Sequence, residues 1–302
     1  MRKHLLALFA VASVALSALV ALPVLTGTGT AAAGAAATPT YYVNLGDSYA
    51  VGYQPGLGAT PGYAGYVAGH TKMTLANFGC GGATTTSVLQ AVGCPDVLPH
   101  TAGLMTYPTQ TQIAAADAFI SAHKGHIGLI TVSISGNDVT ACAGSTNAYG
   151  CVATAVQSIT TNVTTLAGDL RAAAGPKVPI IGSTYPDVVL GSYVHPVVPP
   201  SASSVSVAKL SVPAFELLIN PALAKAYGTV SGVLVDVTRA SGSYVPLTKT
   251  VRTPAYGTIP VAVANVCRLA WYCSKGDIHA KTVGYVLIGT LIVARYHAMS
   301  GK

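Results

Sequence analysis

Four short blocks of the sequence carry residue types that could together attack an ester. The first is Gly46-Asp47-Ser48-Tyr49, which follows an apolar run. Gly46 permits close backbone approach and sets Ser48 at the start of the next segment, where its hydroxyl could serve as a nucleophile. By itself such a tetrad is more often a plain turn or a helix cap. The second block is the glycine-dense stretch 77–85, Asn-Phe-Gly-Cys-Gly-Gly-Ala-Thr-Thr. Its bare backbone N–H groups could hold an oxyanion, or it could simply be a turn leading to a helix capped by Thr84 or Thr85. In the third, Ser135-Gly136-Asn137-Asp138, the Asn137 amide could donate a second hydrogen bond to the same developing charge, although Asn-Asp is also ordinary turn chemistry. The fourth, Gly276-Asp277-Ile278-His279, supplies a base for the Ser48 proton, with Asp277 two residues before it to orient the ring. Asp47, Asp138 and Asp277 are three of only nine carboxylates, and all three sit beside these positions. His70, His100, His123, His126, His195 and His297 have no such company and read as surface histidines.

These blocks need elements to hold them. Short Val- and Ile-rich runs with few charges, at 41–46, 73–78, 127–135, 178–185 and 233–237, suit parallel strands covered on both faces. Stretches with helical spacing alternate with them. Over 110–123 Ile113, Ala116, Phe119 and Ile120 share a face, and over 152–174 Ile159, Val163, Leu166 and Leu170 do. A closing helix over 282–299 carries Val286, Leu287, Leu291 and Ile292. Strand–helix alternation predicts a doubly wound α/β sheet, whose ligands gather at the carboxyl ends of the strands, where three of the four blocks fall. The segment 186–213, with five of the 18 prolines among Ser and Val, reads as a long irregular surface stretch beside that edge.

The chain opens with Arg2 and Lys3, an apolar stretch over 5–25 and small residues around Ala31 to Ala37, the pattern of a signal peptide over 1–37. The mature chain, 38–302, is then expected outside the cell as one domain and a monomer. Without Arg2 and Lys3 the 16 basic residues become 14 against 9 acids, an excess of +5 that is spread thinly. No nucleic-acid surface is expected from it, while transient contact with anionic lipid or the cell envelope is compatible. Six cysteines fall into three close-set pairs, which favours bridges 80–94, 142–151 and 267–273 in an exported chain. A zinc site is the rival, weakened by the lack of any Cys-x-x-Cys.

Taken in order, the four blocks resemble those of the SGNH hydrolase superfamily, the GDSL lipases and esterases, especially its secreted actinobacterial-type members. The likeness covers most of the mature chain, with Ser48, Gly82, Asn137 and His279 at the diagnostic positions. It implies a three-layer α/β/α sandwich of flavodoxin-like type around a central parallel sheet, with no cofactor and no metal. It also implies attack by Ser48 on a carboxylic ester, with His279 as base and the oxyanion held by the N–H groups of Ser48 and Gly82 and the Asn137 amide. Lipid esters, phospholipids among them, are the expected substrates. The stretch Cys267-Arg268-Leu269-Ala270-Trp271-Tyr272-Cys273 looks like a variant of secreted relatives whose bridge braces the histidine loop.

Two departures stand out. The family's usual Asp-x-x-His spacing would put the acid at 276, where this chain has Gly276, and Ala280 replaces the proline that usually follows the histidine. Either Asp277 or a main-chain carbonyl must then orient His279. A carbohydrate acetyl esterase of the same fold is the rival enzyme, and the apolar segment 188–198 with Tyr193 leans toward acyl chains instead. A non-catalytic surface-binding protein is a further rival, against which stands the presence of all four blocks. Gly56-x-Gly58 lacks the third glycine of a dinucleotide fingerprint, and no Gly-x-Ser-x-Gly elbow occurs.

Overall fold

The structure, a computed structural model, describes residues 40–301; the expected leader 1–37 lies outside the described residues. Five strands form one sheet: β1 (Tyr41–Gly46), β2 (Thr74–Asn77), β3 (Ile127–Ser133), β4 (Ile180–Ser183) and β5 (Val233–Val235). Their order is β2-β1-β3-β4-β5 and every pairing is parallel. In this arrangement the chain reverses direction of travel across the sheet between β1 and β3, and the crevice at their carboxyl ends is the expected place for a ligand.

Alternating side chains feed two cores, as a period of two requires. Tyr42 of β1 joins Leu129 and Ile181 under α2 (Gly62–Thr71) and the C-terminal helix Thr282–Ser300, which pack on each other. Val43 and Leu45 join Ile130 and Val132 on the opposite face, under the helices Gln112–Ala122, Ala148–Ala174 and Asn220–Gly228. The long helix is positioned by Ile159, Val163, Leu166 and Leu170, one stripe at three- and four-residue spacing and all fully buried. Its start is capped by Asn147, whose side chain accepts from the Gly150 amide. The result is the doubly wound sheet that the strand–helix alternation predicts, in the three-layer α/β/α sandwich that the resemblance implies.

Two expectations need correction. The closing helix buries Tyr285, Ile288, Ile292 and Tyr296, whereas Val286 is 41% exposed. That helix is apolar nearly all round, so hydrophobicity alone names no face. Gly284 and Gly289 choose it, because there the helix lies against Leu269 and Tyr66 too closely for a Cβ.

The segment 186–213 is likewise an irregular, largely exposed stretch only over 194–201. A 3₁₀ turn, Val188–Tyr193, leads to a helix, Ala202–Pro213, and Leu190, Val194 and Ala208 are buried in a third apolar cluster with Val263 and Val266. Serines that read as loop are a helix cap here: the Ser201 hydroxyl accepts from the Ser204 amide. The helix runs on without a break to Gly228.

Candidate active site

Below the first block lies a buried polar lattice that fixes it. In the middle of β1, the Asn44 amide donates to the Ala50 carbonyl at 3.1 Å and to Asn77 Oδ1 at 2.9 Å, and the Asn77 amide donates to Ala50 at 2.9 Å. Thr131 and Tyr63 donate to Asn44 Oδ1, at 2.7 and 2.8 Å. Three strands and α2 thus hold the short helix α1, Ser48–Val51, by one carbonyl. Strand β1 ends at Gly46 with φ +135°, where a Cβ would collide with the Ser133 carbonyl, so no other residue fits. Asp47 caps α1 by accepting from the Tyr49 amide at 2.9 Å, and Ser48 opens the helix at 8% exposure.

The fourth block is tied down with equal density. The Cys267–Cys273 bridge closes the turn before it, the Trp271 amide donates to the His279 carbonyl at 2.9 Å, and the Lys281 amide donates to Leu269 at 2.8 Å. The Tyr49 hydroxyl donates to the Ile278 carbonyl at 2.6 Å, joining this loop directly to the Ser48 turn. Through 231 residues of separation the two blocks meet: Ser48 Oγ lies 2.8 Å from His279 Nε2, and His279 Nδ1 lies 2.7 Å from Asp277 Oδ1.

Of the two ways of orienting the ring, the structure therefore places the Asp277 carboxylate on Nδ1. The same oxygen also accepts from the His279 amide at 2.9 Å. At position 276 any side chain would be strained. Gly276 has φ +66°, and a Cβ there would stand 2.6 Å from the His195 ring, while the carboxylate on the imidazole is that of the next residue. His195, expected to be a bystander on the surface, in fact abuts the histidine loop.

Burial between Tyr53, Tyr49 and the loop holds the His279 imidazole below its ordinary pKa, and the Asp277 carboxylate partly opposes this. The ring is then neutral at pH 7. With Nδ1–H donated to Asp277, its Nε2 lone pair faces the Ser48 hydroxyl.

The other two blocks converge on the same edge. The Cys80 amide donates to the Gly46 carbonyl at 3.0 Å, and the Cys80–Cys94 bridge anchors the glycine loop that contains Gly82. One N–H of the Asn137 amide donates to the Ala83 carbonyl at 2.9 Å, which leaves its second N–H for a ligand. Asp138 has a different duty: its carboxylate accepts from the Thr85 amide and from the Thr85 hydroxyl, the latter at 2.6 Å, and so locks the third block to the second. Thr84 caps the helix that follows with a capping box, as one reading of this loop allowed. Among the described residues, no group of three or more His, Cys, Asp or Glu side chains is placed to hold a metal ion.

A cavity of about 360 Å³ opens beside Ser48 and Asn137. Its walls are mainly apolar, with Val139 and Val152 on one side and Val188, Val207 and Phe215 on the other. Tyr185, at the end of β4, stands in it and donates from its hydroxyl to Asp47 Oδ2 at 2.6 Å. The wall helix is fixed from below by Asp187, which is fully buried and accepts from the Ser211 hydroxyl at 2.7 Å. Burial pushes the Asp187 carboxyl up to about 7. Sequence reasoning passed over Tyr49, Tyr53 and Tyr185. Tyr49 stood next to the serine and Tyr185 at a strand's carboxyl end, and those positions were the only signals available.

The comparisons with known proteins agree with this architecture. The model of the GDSL-like lipase/acylhydrolase family matches residues 45–243. No curated protein matches the sequence. Among solved structures, the chain is similar to a phospholipase A1 from Streptomyces albidoflavus, with 17% identity and a TM-score of 0.52, covering 85% of this chain and 99% of that one. It is also similar to an extracellular lipase from Streptomyces rimosus, with 20% identity and a TM-score of 0.50, covering 85% and 98%. With its family model spanning three of the four blocks and its fold shared with these enzymes, the chain belongs to the GDSL-like lipase/acylhydrolase family of the SGNH hydrolase superfamily and is a carboxylic ester hydrolase.

Proposed function

We propose that this protein is a secreted serine esterase or lipase that cleaves carboxylic esters of lipids, phospholipids included, through Ser48, His279 and Asp277. One observation carries the reading: the hydrogen-bonded chain Asp277–His279–Ser48, at 2.7 and 2.8 Å, ends on a hydroxyl that faces an apolar cavity.

In the acylation step His279 Nε2 takes the Ser48 proton as Oγ attacks the ester carbonyl. Asp277 holds the imidazolium in place and stabilises its charge. The tetrahedral oxyanion is received by the amides of Ser48 and Gly82 and by the free N–H of Asn137, each worth about 3 kcal/mol to the transition state. His279 returns its proton to the leaving alkoxide, and water activated by the same ring releases the acyl group from Ser48. Burial supports this role, since a ring that is neutral at pH 7 is ready to accept a proton.

The apolar lining favours lipid esters over the acetyl esters of sugars, whose sites need polar contacts to hydroxyls. Export rests on the leader-like residues 1–37 and on three disulfides, which persist in oxidising compartments. The partners are then ester substrates, with transient contact at a lipid or envelope surface, no nucleic acid, and a monomeric chain.

Purified mature protein is to be assayed on p-nitrophenyl esters of rising acyl length and on acetylated sugars, beside Ser48→Ala. The reading expects cleavage of acyl esters that Ser48→Ala abolishes. Equal rates for wild type and Ser48→Ala would refute it, and a preference for acetylated sugars would replace it with the carbohydrate esterase.

A further inference from the structure

The cavity wall contains an unusual turn. Between Pro213 and Asn220 the wall helix, Ala202–Gly228, is π-helical over Ala214–Ile219, and the Asn220 amide reaches back five residues to the Phe215 carbonyl. Pro213 and Pro221 bracket the turn, and neither has an N–H to donate. Such insertions in helices are frequent at functional sites.

Here its effect on the cavity can be read from the lining. In the preceding helix Val207, Leu210 and Ser211 face the cavity and Ala214 follows, the spacing of an α-helical stripe. Continued in α register, that stripe would next present Leu217 or Leu218. Instead Leu217 is 64% exposed, and the turn lines the cavity with Ala214, Phe215 and Ile219, the first and last of them five positions apart. In an α-helix Ala214 and Ile219 would point about 140° apart, at 3.6 residues per turn. The π turn brings both onto the cavity wall, with Phe215 beside them.

We infer that this π turn is the gauge of acyl-chain length, with Ala214 and Phe215 as its specificity-determining residues. The inference rests on the ester hydrolysis proposed above. His279 must face the leaving oxygen in order to protonate it, and it does not line the cavity, whereas Asn137 and Ser48 do. The acyl half of the substrate is thereby directed into the cavity, away from His279. At roughly 30 Å³ for each water-sized or methylene-sized group, the volume holds on the order of ten such groups. Each methylene buried there raises kcat/KM by about fourfold until the wall is reached. Ala214 is the smallest residue of the turn and is 7% exposed, so a larger side chain there projects into the space that the chain would fill.

The test uses p-nitrophenyl esters from butanoate to hexadecanoate, with the leaving group constant so that only the acyl part varies. Ala214→Phe is expected to lower the decanoate-to-butanoate ratio of kcat/KM by about fifteenfold or more, the equivalent of two or more lost methylenes. Phe215→Ala is expected to move the optimum to longer chains, which guards against an Ala214→Phe protein that merely folds badly; thermal melts of both variants identify that case. An active enzyme whose length profile is the same in wild type and both variants overturns the inference and leaves the esterase reading intact. A wild type inert on every ester overturns the esterase reading and this inference with it.

Discussion

The two sides of Ser48 are built in different ways. On the histidine side, every link is a short directed bond or a covalent one: the Cys267–Cys273 bridge, the Trp271 and Lys281 amides, Asp277 on the ring, and the Tyr49 hydroxyl on Ile278. On the cavity side, the walls are mainly apolar side chains, Val139 and Val152 facing Val188, Val207 and Phe215, which pack without directed bonds to the serine. Proton transfer fails when a donor is misplaced by an ångström, so its groups are held by bonds with fixed directions. Acyl-chain binding needs only dry volume of the right length, which apolar packing supplies. The difference implies that substitutions on the histidine side act on kcat for all substrates alike, and those on the cavity side act on the choice among substrates.

The largest effects should come from the histidine side. Ser48→Ala and His279→Ala are each expected to lower kcat by about 10⁴-fold or more, as for residues that act as a unit, without moving the thermal midpoint much. Steady-state kinetics on butanoate and decanoate esters should show equal losses for both. A loss confined to the longer ester would erase the contrast between the two sides.

Asp277→Asn comes next, with an expected loss of about 10²- to 10⁴-fold, and the pH profile gives it a sharper reading. His279 is held below its usual pKa by burial and raised in part by Asp277. Activity therefore rises with pH as the ring loses its proton, through a value below 6.5, and then levels off. Removing the carboxylate's charge should shift that rise to still lower pH while lowering the plateau. An unchanged inflection with a full plateau would mean that a main-chain carbonyl suffices to orient the ring.

Much of this side was legible in the sequence because its parts are short and local. Gly46-Asp47-Ser48, Asn137-Asp138 and Asp277-x-His279 are contiguous motifs, and the three cysteine pairs bridge near neighbours, 14, 9 and 6 residues apart. The sheet was legible too, since strands buried on both faces are continuous apolar runs, whose ends drifted by a residue or two. What stayed hidden depends on groups brought together from afar. Nothing near Asn44 in sequence announces that it will hold the Ala50 carbonyl with Asn77, or that Tyr185 will reach Asp47 across 138 residues. The cavity wall stayed hidden for another reason. Its serines and prolines favour loops locally, and only the buried face of Leu190, Val194 and Ala208 turns the region into packed helix.

Smaller effects sharpen the comparison further. Asn137→Ala removes one of the proposed oxyanion donors and should cost about 10²-fold in kcat with little change in KM. Tyr49→Phe deletes only the hydroxyl that clamps Ile278 while keeping the ring against Tyr185 and Tyr285. If that clamp sets the serine–histidine distance, kcat falls about tenfold, the kinetic equivalent of one modest hydrogen bond, while KM and acyl-length preference stay put. A changed length preference instead would show that Tyr49 belongs to the cavity as much as to the histidine.

Asp47 sits at the seam of the two sides, accepting from the Tyr49 amide on one and from the cavity's Tyr185 hydroxyl on the other. Burial pushes its carboxyl up to about 7, against the lowering pull of the Tyr185 and Tyr49 hydrogen bonds and with some help from the charge of Asp138. In the unfolded chain the group titrates near the ordinary carboxylate value of 3.8. Between about pH 4 and pH 7 the native protein thus keeps a proton that the unfolded chain has released. The contribution to stability is fully present below the lower value and is lost as pH rises through the upper one, on the order of 4 kcal/mol in all. Asp47→Asn keeps a good helix cap and never ionises, so it escapes this loss. Its thermal midpoint, compared with wild type, should therefore gain by several degrees between pH 4.5 and pH 7.5, while activity changes least among these variants. Melting curves across that range decide it. A constant offset between the two proteins would mean that Asp47 is ionised throughout and that the seam is held by charge, whereas an offset growing with pH means that it is held by a neutral, hydrogen-bonded acid.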